Sequence, residues 1–394
     1  MKVPAEFDEV RPYNPEELPQ VFDELLSDPS FQAVVSHVMP GVPLELIARR
    51  LRACRTNLDV QKAFFHRLLH DIMDKCSDGF TMDTRSVTDH TRNYTFVSNH
   101  RDIVLDPGFL SVGLIDNGFP TTVEIAIGDN LLIYPWIRTL VRLNKAFIVR
   151  RNISRRELYE SSLLMSRYMH HAINVKHENI WIAQREGRAK DSSDQTQISL
   201  LKMLTLSGTE GTEGAEKTEN TESLMESIRQ LNIVPLSISY EYDPCDYLKA
   251  QEFQQKRDDA GWKKSKQDDL MNMKTGIFGK KGHVHYQTGR PVNTWIDELA
   301  GMPEKDFYTE LAQRIDREIH RNYRLFPGNY VATDLLSGKP THATYYTHKE
   351  LVAFEQYIAS RIALINLPNK DEAFLRERLL TMYANPVINY EAAR

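Results

Sequence analysis

The chain has 394 residues, 41% hydrophobic and 26% charged, which is enough for two or three globular domains. Its formal net charge of -5 argues against a globally basic protein, and we expect no nucleic-acid partner. The three cysteines are far apart and form no CxxC pair, which excludes a disulfide framework and a cysteine-rich zinc site and suits a reducing compartment.

The first residues, MKVPAEFDEVRPYNPEELP, are acidic and rich in proline. They lack the basic and apolar regions of a secretory signal, and no apolar run elsewhere reaches transmembrane length. We therefore expect a cytoplasmic protein. Peripheral association with the cytoplasmic face of the membrane is compatible with this expectation.

Residues 1–80 are predicted to form an N-terminal helical domain. The run ELPQVFDELLSDPSFQAVVSHVM repeats apolar residues at helical spacing until two prolines interrupt it. VPLELIARRLRACR and DVQKAFFHRLLHDIMDKC predict two further amphipathic helices.

Residues 81–295 alternate between strand-like and helical patterns. Short runs rich in Val and Ile end in polar or glycine-containing loops: TRNYTFVSN, TTVEIAIGDN, KAFIVRRN, NIWIAQREG and NIVPLSISYEYD. Helical stretches such as ELYESSLLMSRYMHHAIN lie between them. The alternation predicts an α/β domain with a central, mostly parallel mixed sheet flanked by helices. In such a sheet, sites gather beyond the carboxyl ends of the strands.

Two further segments complete the predicted organisation. Residues 208–223, GTEGTEGAEKTENTES, are acidic and nearly devoid of apolar side chains, which predicts a disordered surface loop. Residues 296–394 contain two long helical patterns, PEKDFYTELAQRIDREIHRNY and HKELVAFEQYIASRIALI. We expect them to form a helical C-terminal region.

The first polar cluster follows a predicted strand, in VSNHRDIVLDPGF, and places His100 shortly before two carboxylates, Asp102 and Asp106. A carboxylate on one imidazole nitrogen raises the basicity of the other, which can then take a proton from an alcohol. Alternatively, Asn99 or Asp102 caps a helix and His100 binds the backbone. The cluster by itself favours this second interpretation.

The second cluster, WIAQREGRAKDSSDQTQ, also follows a strand. Arg185, Arg188 and the backbone freedom of Gly187 suit a phosphate-binding loop, because guanidinium groups match phosphate geometry. A solvated loop is the common alternative.

The third cluster, NKAFIVRRN, puts Arg150 and Arg151 at another strand end, where an exposed charge pair is the alternative. All three clusters are predicted to occupy the same topological position in the sheet.

The order SNHRDIVLDP, KAFIVRRN, WIAQREGRAKD and IVPLSISYE resembles the four motifs of the glycerolipid acyltransferase superfamily, the PlsB-like and PlsC-like glycerol-3-phosphate and 1-acylglycerol-3-phosphate acyltransferases. The resemblance covers residues 91–291. It implies a catalytic pair, His100 with Asp106, and a fourth motif at Val234 and Pro235. The substrate-binding residues that it implies are Arg150, Glu186, Gly187 and Arg188.

The chain departs from the family pattern at one point. The family separates its His and Asp by four residues, whereas five lie between His100 and Asp106, and position 105 is Leu. We favour Asp106 because Pro107 follows it, as in an Asp-Pro variant of the motif. Asp102 is the alternative partner.

The resemblance implies an O-acyltransferase of phospholipid synthesis. It would move a fatty acyl group from an acyl-CoA or acyl-carrier-protein thioester to a hydroxyl of a glycerol-phosphate or lysophospholipid acceptor, with no metal or cofactor. The alternatives are transfer to another alcohol or to an amine, and a non-catalytic lipid-binding protein.

Other features receive simpler interpretations. His66 and His70 share a helix face, where packing or exposure is favoured over metal binding because no zincin motif accompanies them. The HRD triplet lacks the Asn and the Gly-rich loop of a kinase. VPLELIARRLRACR and WKKSKQDDLMNMKTGIFGKKGH combine basic and apolar residues that suit a lipid surface, although packing and a solvated loop are slightly favoured.

Overall fold

A computed structural model describes residues 2–39, 41–132, 134–151, 153–209 and 217–394. The strands are β1 (Gly79–Asp83), β2 (Thr95–Ser98), β3 (Val123–Gly128), β4 (Ala146–Val149), β5 (Asn179–Ala183), β6 (Ile233–Tyr240) and β7 (His283–Thr288). The helices are α1 (Leu18–Ser27), α2 (Pro29–Val38), α3 (Leu44–Ala53), α4 (Asn57–Val60), α5 (His66–Cys76), α6 (Leu105–Asp116), α7 (Pro135–Leu143), α8 (Arg155–Asn174), α9 (Ile198–Thr205), α10 (Lys217–Leu231), α11 (Asp246–Asp258), α12 (Lys266–Phe278), α13 (Glu304–Arg321), α14 (Pro327–Ser337), α15 (His348–Ala363) and α16 (Glu372–Ala392).

The described strands form one mixed sheet in the order β1-β7-β6-β2-β5-β3-β4. From β6 to β4 all neighbours are parallel, while β7 is antiparallel to β6 and parallel to β1. The predicted fold class, a mostly parallel mixed sheet flanked by helices, is confirmed. The carboxyl ends of β2, β3, β4, β5 and β6 therefore meet at one edge of the sheet, which we call the C-edge.

The central strands are buried on both faces, as expected of a parallel sheet covered by helices. Every residue of β2 and of β6 is buried. Pro235 lies inside β6, but the antiparallel pairing with β7 starts only at Leu236, so the missing N–H of proline leaves that ladder intact. On its other side, Pro235 stands opposite Val97 of β2, which places the fourth sequence motif directly beside the first.

Two hydrophobic clusters cover the faces of the sheet. One face packs against α8, α9, α10 and α13, through residues such as Tyr168, Leu201, Ile228 and Ile315. The other packs against α5 and α6, with Leu69 and Phe109 in its interior. Because α13 belongs to the first cluster, the C-terminal helical region begins as part of the sheet's own core.

The N-terminal helices have a hydrophobic cluster of their own. It contains the apolar faces of α1, α2 and α3, and Leu143 of α7 joins it. Ile47 and Leu51 of α3 are buried there, and Arg52 pairs with Asp23 of α1 at 2.8 Å. These contacts favour packing over lipid contact for the basic helix VPLELIARRLRACR.

A fourth cluster joins α14, α15 and α16 to Ala250 of α11. At the other end of the chain, the carbonyl of Val10 accepts a hydrogen bond from the amide of Ile148 in β4, at 2.9 Å. The division into residues 1–80, 81–295 and 296–394 stays a prediction.

The predicted loop at residues 208–223 needs correction at both ends. Residues 208 and 209 belong to a short 3₁₀ helix, Leu206–Thr209, and residues 217–223 belong to α10. Residues 210–216 lie outside the described residues. The helix forms because Thr221, Leu224, Met225 and Ile228 are spaced as one helix face and are buried together.

No helix of the described residues combines the length and the apolar character that are needed to cross a membrane.

Candidate active site

The turn after β2 begins the candidate site. Asn99 is fully buried and binds the backbone of Ile238 in β6 twice, since its amide donates to the carbonyl at 2.9 Å and its oxygen accepts from the N–H at 2.8 Å. Five residues after His100 the chain enters α6, where Pro107 is tolerated because first-turn N–H groups have no partner within the helix. The turn is therefore held in place at the C-edge.

His100 and Asp106 form a hydrogen-bonded pair. Nδ1 of His100 lies 2.8 Å from Oδ2 of Asp106, whose side chain is fully buried. A carboxylate can only accept, so Nδ1 is the donor, and in the neutral form of the imidazole Nε2 then has a free lone pair. Nε2 has no hydrogen-bond partner among the described residues, and the His100 side chain is 11% exposed. The nitrogen that would take a proton therefore has no competing hydrogen bond among the described residues.

Asp106 is fixed by three further donors. Its Oδ2 accepts from the amides of Arg101 at 2.6 Å and Asp102 at 3.0 Å, and its Oδ1 accepts from the hydroxyl of Tyr240 at 3.1 Å. Burial, with the neighbouring Tyr286 and Asp106, raises the pKa of Tyr240 well above its usual value, so this residue stays a donor. These bonds and the start of α6 stabilise a negative charge opposite His100.

Asp102 occupies a different position from the one that a catalytic partner would need. Its Oδ1 accepts from the amides of Val104 at 2.9 Å and Leu105 at 2.7 Å, so it caps the start of α6. Burial raises the pKa of Asp102, and the charge of Asp106 raises it further. The structure therefore places Asp106, and not Asp102, against His100, and the turn capped by Asp102 accommodates the additional residue of the spacing.

Helix α12 lies directly over this turn. An added Cβ at Gly276 of α12 would stand only 2.0 Å from Oδ2 of Asp102, so no larger side chain fits without movement. The close approach brings the side chain of Asn272, one turn earlier, towards the loop that follows β5.

The loop after β5 carries the second sequence cluster. Gly187 has φ +68°, in the left-handed region that favours glycine. Glu186 is exposed, its amide donates to Gln197 at 2.8 Å, and its carboxylate pairs with the guanidinium of Arg151. Glu186 thus joins the loop after β5 to the loop after β4.

Arg188 faces the turn that contains His100. Its Nη2 donates to Oδ1 of Asn272 at 2.9 Å, while its Nη1 is buried without a hydrogen-bond partner among the described residues. Burial lowers the pKa of Arg188, but its neighbours Cys245, Asp243 and Asp102 raise it above the usual value. Arg188 is therefore a charged group whose Nη1 donors are unused.

Arg150 lies apart from these residues. It is exposed and its guanidinium stands 3.8 Å from Glu157 in α8. Because β5 and β3 separate β4 from β2, the two strand ends are about 14 Å apart across the sheet. The described residues give Arg150 no contact with His100, Glu186 or Arg188.

Buried ion pairs lie next to the turn that contains His100. The guanidinium of Arg101 contacts Asp194 at 3.2 and 2.5 Å, and Tyr323 donates to the same carboxylate at 2.6 Å. Lys249, almost fully buried, pairs with Asp243. The Arg of the sequence cluster SNHRD is thus a structural residue.

Sequence reasoning missed Tyr240, Asn272 and Trp181. The ring of Trp181 meets His100 edge to face at 5.4 Å between centroids. Tyr240 ends β6, the strand of the fourth motif, so its position at the C-edge was a usable signal. Asn272 lies on α12, and no local pattern marks it. Of the described residues, only a group at the opposite end of α6 (His66, His70, Asp116) is arranged to hold a metal ion.

Comparisons with known proteins in sequence and in structure add little to this description of the site. No protein-family model matches the chain, and no curated protein matches it in sequence. Among solved structures, the 1-acyl-sn-glycerophosphate (LPA) acyltransferase PlsC from Thermotoga maritima is similar, with 14% identity and a TM-score of 0.35, over 78% of this chain and 98% of that chain. A TM-score this low carries no argument about function, so the side chains at the C-edge are the basis for assigning one.

Proposed function

We propose that this protein is an O-acyltransferase that moves a fatty acyl group from a thioester to a hydroxyl of a glycerol-phosphate-type acceptor. The observation that carries the proposal is the contact of 2.8 Å between His100 Nδ1 and the buried carboxylate of Asp106. It occurs in the first of four clusters whose order resembles the glycerolipid acyltransferases, and the first and fourth stand on adjacent strands.

In the proposed reaction, His100 acts as a general base. Nε2 takes the proton of the acceptor hydroxyl while the oxygen attacks the thioester carbonyl. The tetrahedral intermediate then expels the thiolate, which takes the proton back from the imidazolium and leaves as a thiol. Asp106 stabilises the imidazolium, and base catalysis of this kind contributes about 10²–10⁴-fold.

Arg188 is the proposed phosphate-binding residue. Its partnerless Nη1 and its retained charge suit an anionic oxygen, and β5 is the immediate neighbour of β2, about 5 Å away across the sheet. Gly187 gives the loop its left-handed turn. Glu186 holds Arg151, and we assign Arg150 to the rim of the site, where its exposed charge attracts the acceptor from solution.

The proposed donor is acyl-CoA or acyl-carrier protein, and the proposed place of work is the cytoplasmic face of a membrane. Exposed apolar side chains at the start of α8, Leu158 and Tyr159, lie just beyond the end of β4, and Met271 and Phe278 are exposed on α12. Residues of this kind suit contact with lipid. Binding to anionic vesicles, weakened by charged substitutions at Leu158 and Tyr159, would support this assignment, and unchanged binding would refute it.

The function is tested by incubating the full chain with labelled acyl-CoA and a panel of acceptors. The panel contains glycerol 3-phosphate, 1-acylglycerol 3-phosphate, a non-phosphorylated monoacylglycerol and an amine. We expect acylation of a phosphorylated acceptor and its loss in His100→Ala, while His348→Ala, which changes an exposed histidine in α15, keeps full activity. Transfer only to the amine or the neutral alcohol would refute the proposed acceptor. Lipid binding without any turnover would refute catalysis.

A further inference from the structure

His66, His70 and Asp116 form a cluster between α5 and α6. Nε2 of His66 stands 2.9 Å from one oxygen of Asp116, and Nε2 of His70 stands 3.1 Å from the other. One ligand atom from each residue can be chosen so that all three lie within 4.8 Å of one another. The histidines are one turn apart on α5, directly after the π-helical segment Gln61–Phe65, a distortion that is common at functional sites.

We propose that this cluster binds a divalent transition-metal ion, and that Zn²⁺ is the ion it suits best. Two imidazoles and a carboxylate form a ligand set that Zn²⁺ accepts. Mg²⁺ and Ca²⁺ prefer oxygen ligands, which makes two imidazoles unsuitable for them.

The spacing of the three side chains is close to that of a zinc site. Tetrahedral Zn²⁺ with bonds of about 2.0–2.2 Å holds its ligand atoms about 3.3 Å apart. The two observed contacts, of 2.9 and 3.1 Å to the two oxygens of Asp116, need to open by a few tenths of an ångström, and the longest separation in the cluster, within 4.8 Å, closes by up to about 1.5 Å. The three side chains are between 29% and 39% exposed, so water can supply the fourth ligand.

The local charge also favours a cation. Among the described residues, Asp116 has ion pairs only with the two imidazoles, and no lysine or arginine compensates its charge. Two further carboxylates, Asp74 and Asp78, line a cavity together with His70 and Asp116. A metal ion would supply positive charge to this group of carboxylates.

The site would be structural and independent of the proposed acyl transfer. Asp116 ends α6 and Asp106 lies in its first turn, so ten residues at 1.5 Å each put them about 15 Å apart. Metal binding would tie α5 to α6 and stabilise the fold, since a ligand that binds only the folded state raises its stability.

The test uses the full chain, freed of metal with a chelator and titrated with Zn²⁺ in a calorimeter. We expect one equivalent to bind and to raise the melting temperature. We also expect Co²⁺ to give the visible absorption of a tetrahedral site. His66→Ala and His70→Ala should each weaken Zn²⁺ binding at least tenfold, while the matched control His348→Ala should bind as wild type does.

Asp116→Asn provides a second test, because it keeps the shape of the side chain and removes its charge. It should also weaken Zn²⁺ binding at least tenfold. Absence of stoichiometric binding to the wild type, or equal affinity in His70→Ala and His348→Ala, would overturn the proposal. Metal binding and melting are measured without substrate. A negative result for Zn²⁺ binding therefore does not affect the acyltransferase proposal, and a negative result for acyl transfer does not affect the metal-site proposal.

Discussion

Replacing Asp106 by Asn should remove the charge opposite His100 while preserving the geometry around it. Oδ2 of Asp106 accepts from His100 and from two backbone amides, whereas Oδ1 accepts only from Tyr240. The carbonyl of Asn therefore takes the Oδ2 position, and its NH₂ group faces the hydroxyl of Tyr240, which can turn and accept. His100 keeps its tautomer, and only the electrostatic support of the imidazolium is lost.

The size of the effect can be worked out from the distance. Two unit charges 2.8 Å apart attract each other by about 6 kcal/mol at an effective dielectric constant of about 20. The amide dipole keeps part of this attraction, and a loss of roughly half, about 3 kcal/mol, lowers kcat by about 100-fold. The assay is thiol release from acyl-CoA at saturating acceptor, together with the melting temperature.

Asp102→Asn is the matched control for Asp106→Asn. The amide oxygen of Asn can still cap Val104 and Leu105, and the substitution removes a carboxylate whose pKa burial raises. We expect kcat within about threefold of wild type, since the barrier then changes by less than about 1 kcal/mol. An Asp106→Asn enzyme with a kcat within twofold of wild type, or an Asp102→Asn enzyme as impaired as Asp106→Asn, would refute the assigned pair.

Three further predictions concern the surroundings of the pair. Arg188→Gln should raise KM for a phosphorylated acceptor at least tenfold and leave KM for acyl-CoA unchanged, and an equal rise in both would contradict phosphate binding. Gly276→Ala should lower both the melting temperature and kcat, because its Cβ would meet Asp102 and overpacking of this kind costs about 1–3 kcal/mol; a variant that melts as wild type does would contradict the close contact. Burial raises the pKa of Asp316 to about 6, although two hydrogen bonds from Thr196 oppose the rise. The folded state thus keeps a proton on Asp316 that the unfolded state loses, and stability should fall as pH rises from about 4 through about 6. Melting curves should show that Asp316→Asn is more stable than wild type at pH 8 but not at pH 4. A difference in melting temperature that is the same at both pH values would contradict this prediction.

The fold is predictable from the sequence where the signal is local. Runs such as NIWIA and IVPLSISY predict their strands because consecutive Val and Ile residues suit a sheet covered on both faces. The strand β1 could not be predicted in this way. Its sequence, GFTMD, has Gly and Asp at its ends and becomes a strand by pairing with β7, far along the chain. The start of α10 was missed for another reason. A composition averaged over residues 208–223 conceals the buried helix face that begins at Thr221.

The candidate site was also predictable only where its residues are close in sequence. His100 and Asp106 are close in sequence, and their pairing could be expected from Pro107, although their spacing is one residue longer than in the family pattern. Strand order, which the sequence leaves open, places β4 at the sheet edge and so separates Arg150 from the pair. The contacts of Tyr240 and Asn272 depend on how β6 and α12 pack, and no local pattern encodes that.

The most direct measurement is the rate of acyl transfer by His100→Ala beside His348→Ala and the wild type, with a labelled acyl thioester and a phosphorylated acceptor at saturation. We expect wild type and His348→Ala to turn over equally, and His100→Ala to be slower by at least about 10²-fold at an unchanged melting temperature. Equal rates in all three proteins, or no transfer by the wild type to any acceptor of the panel, would contradict a general-base role for His100.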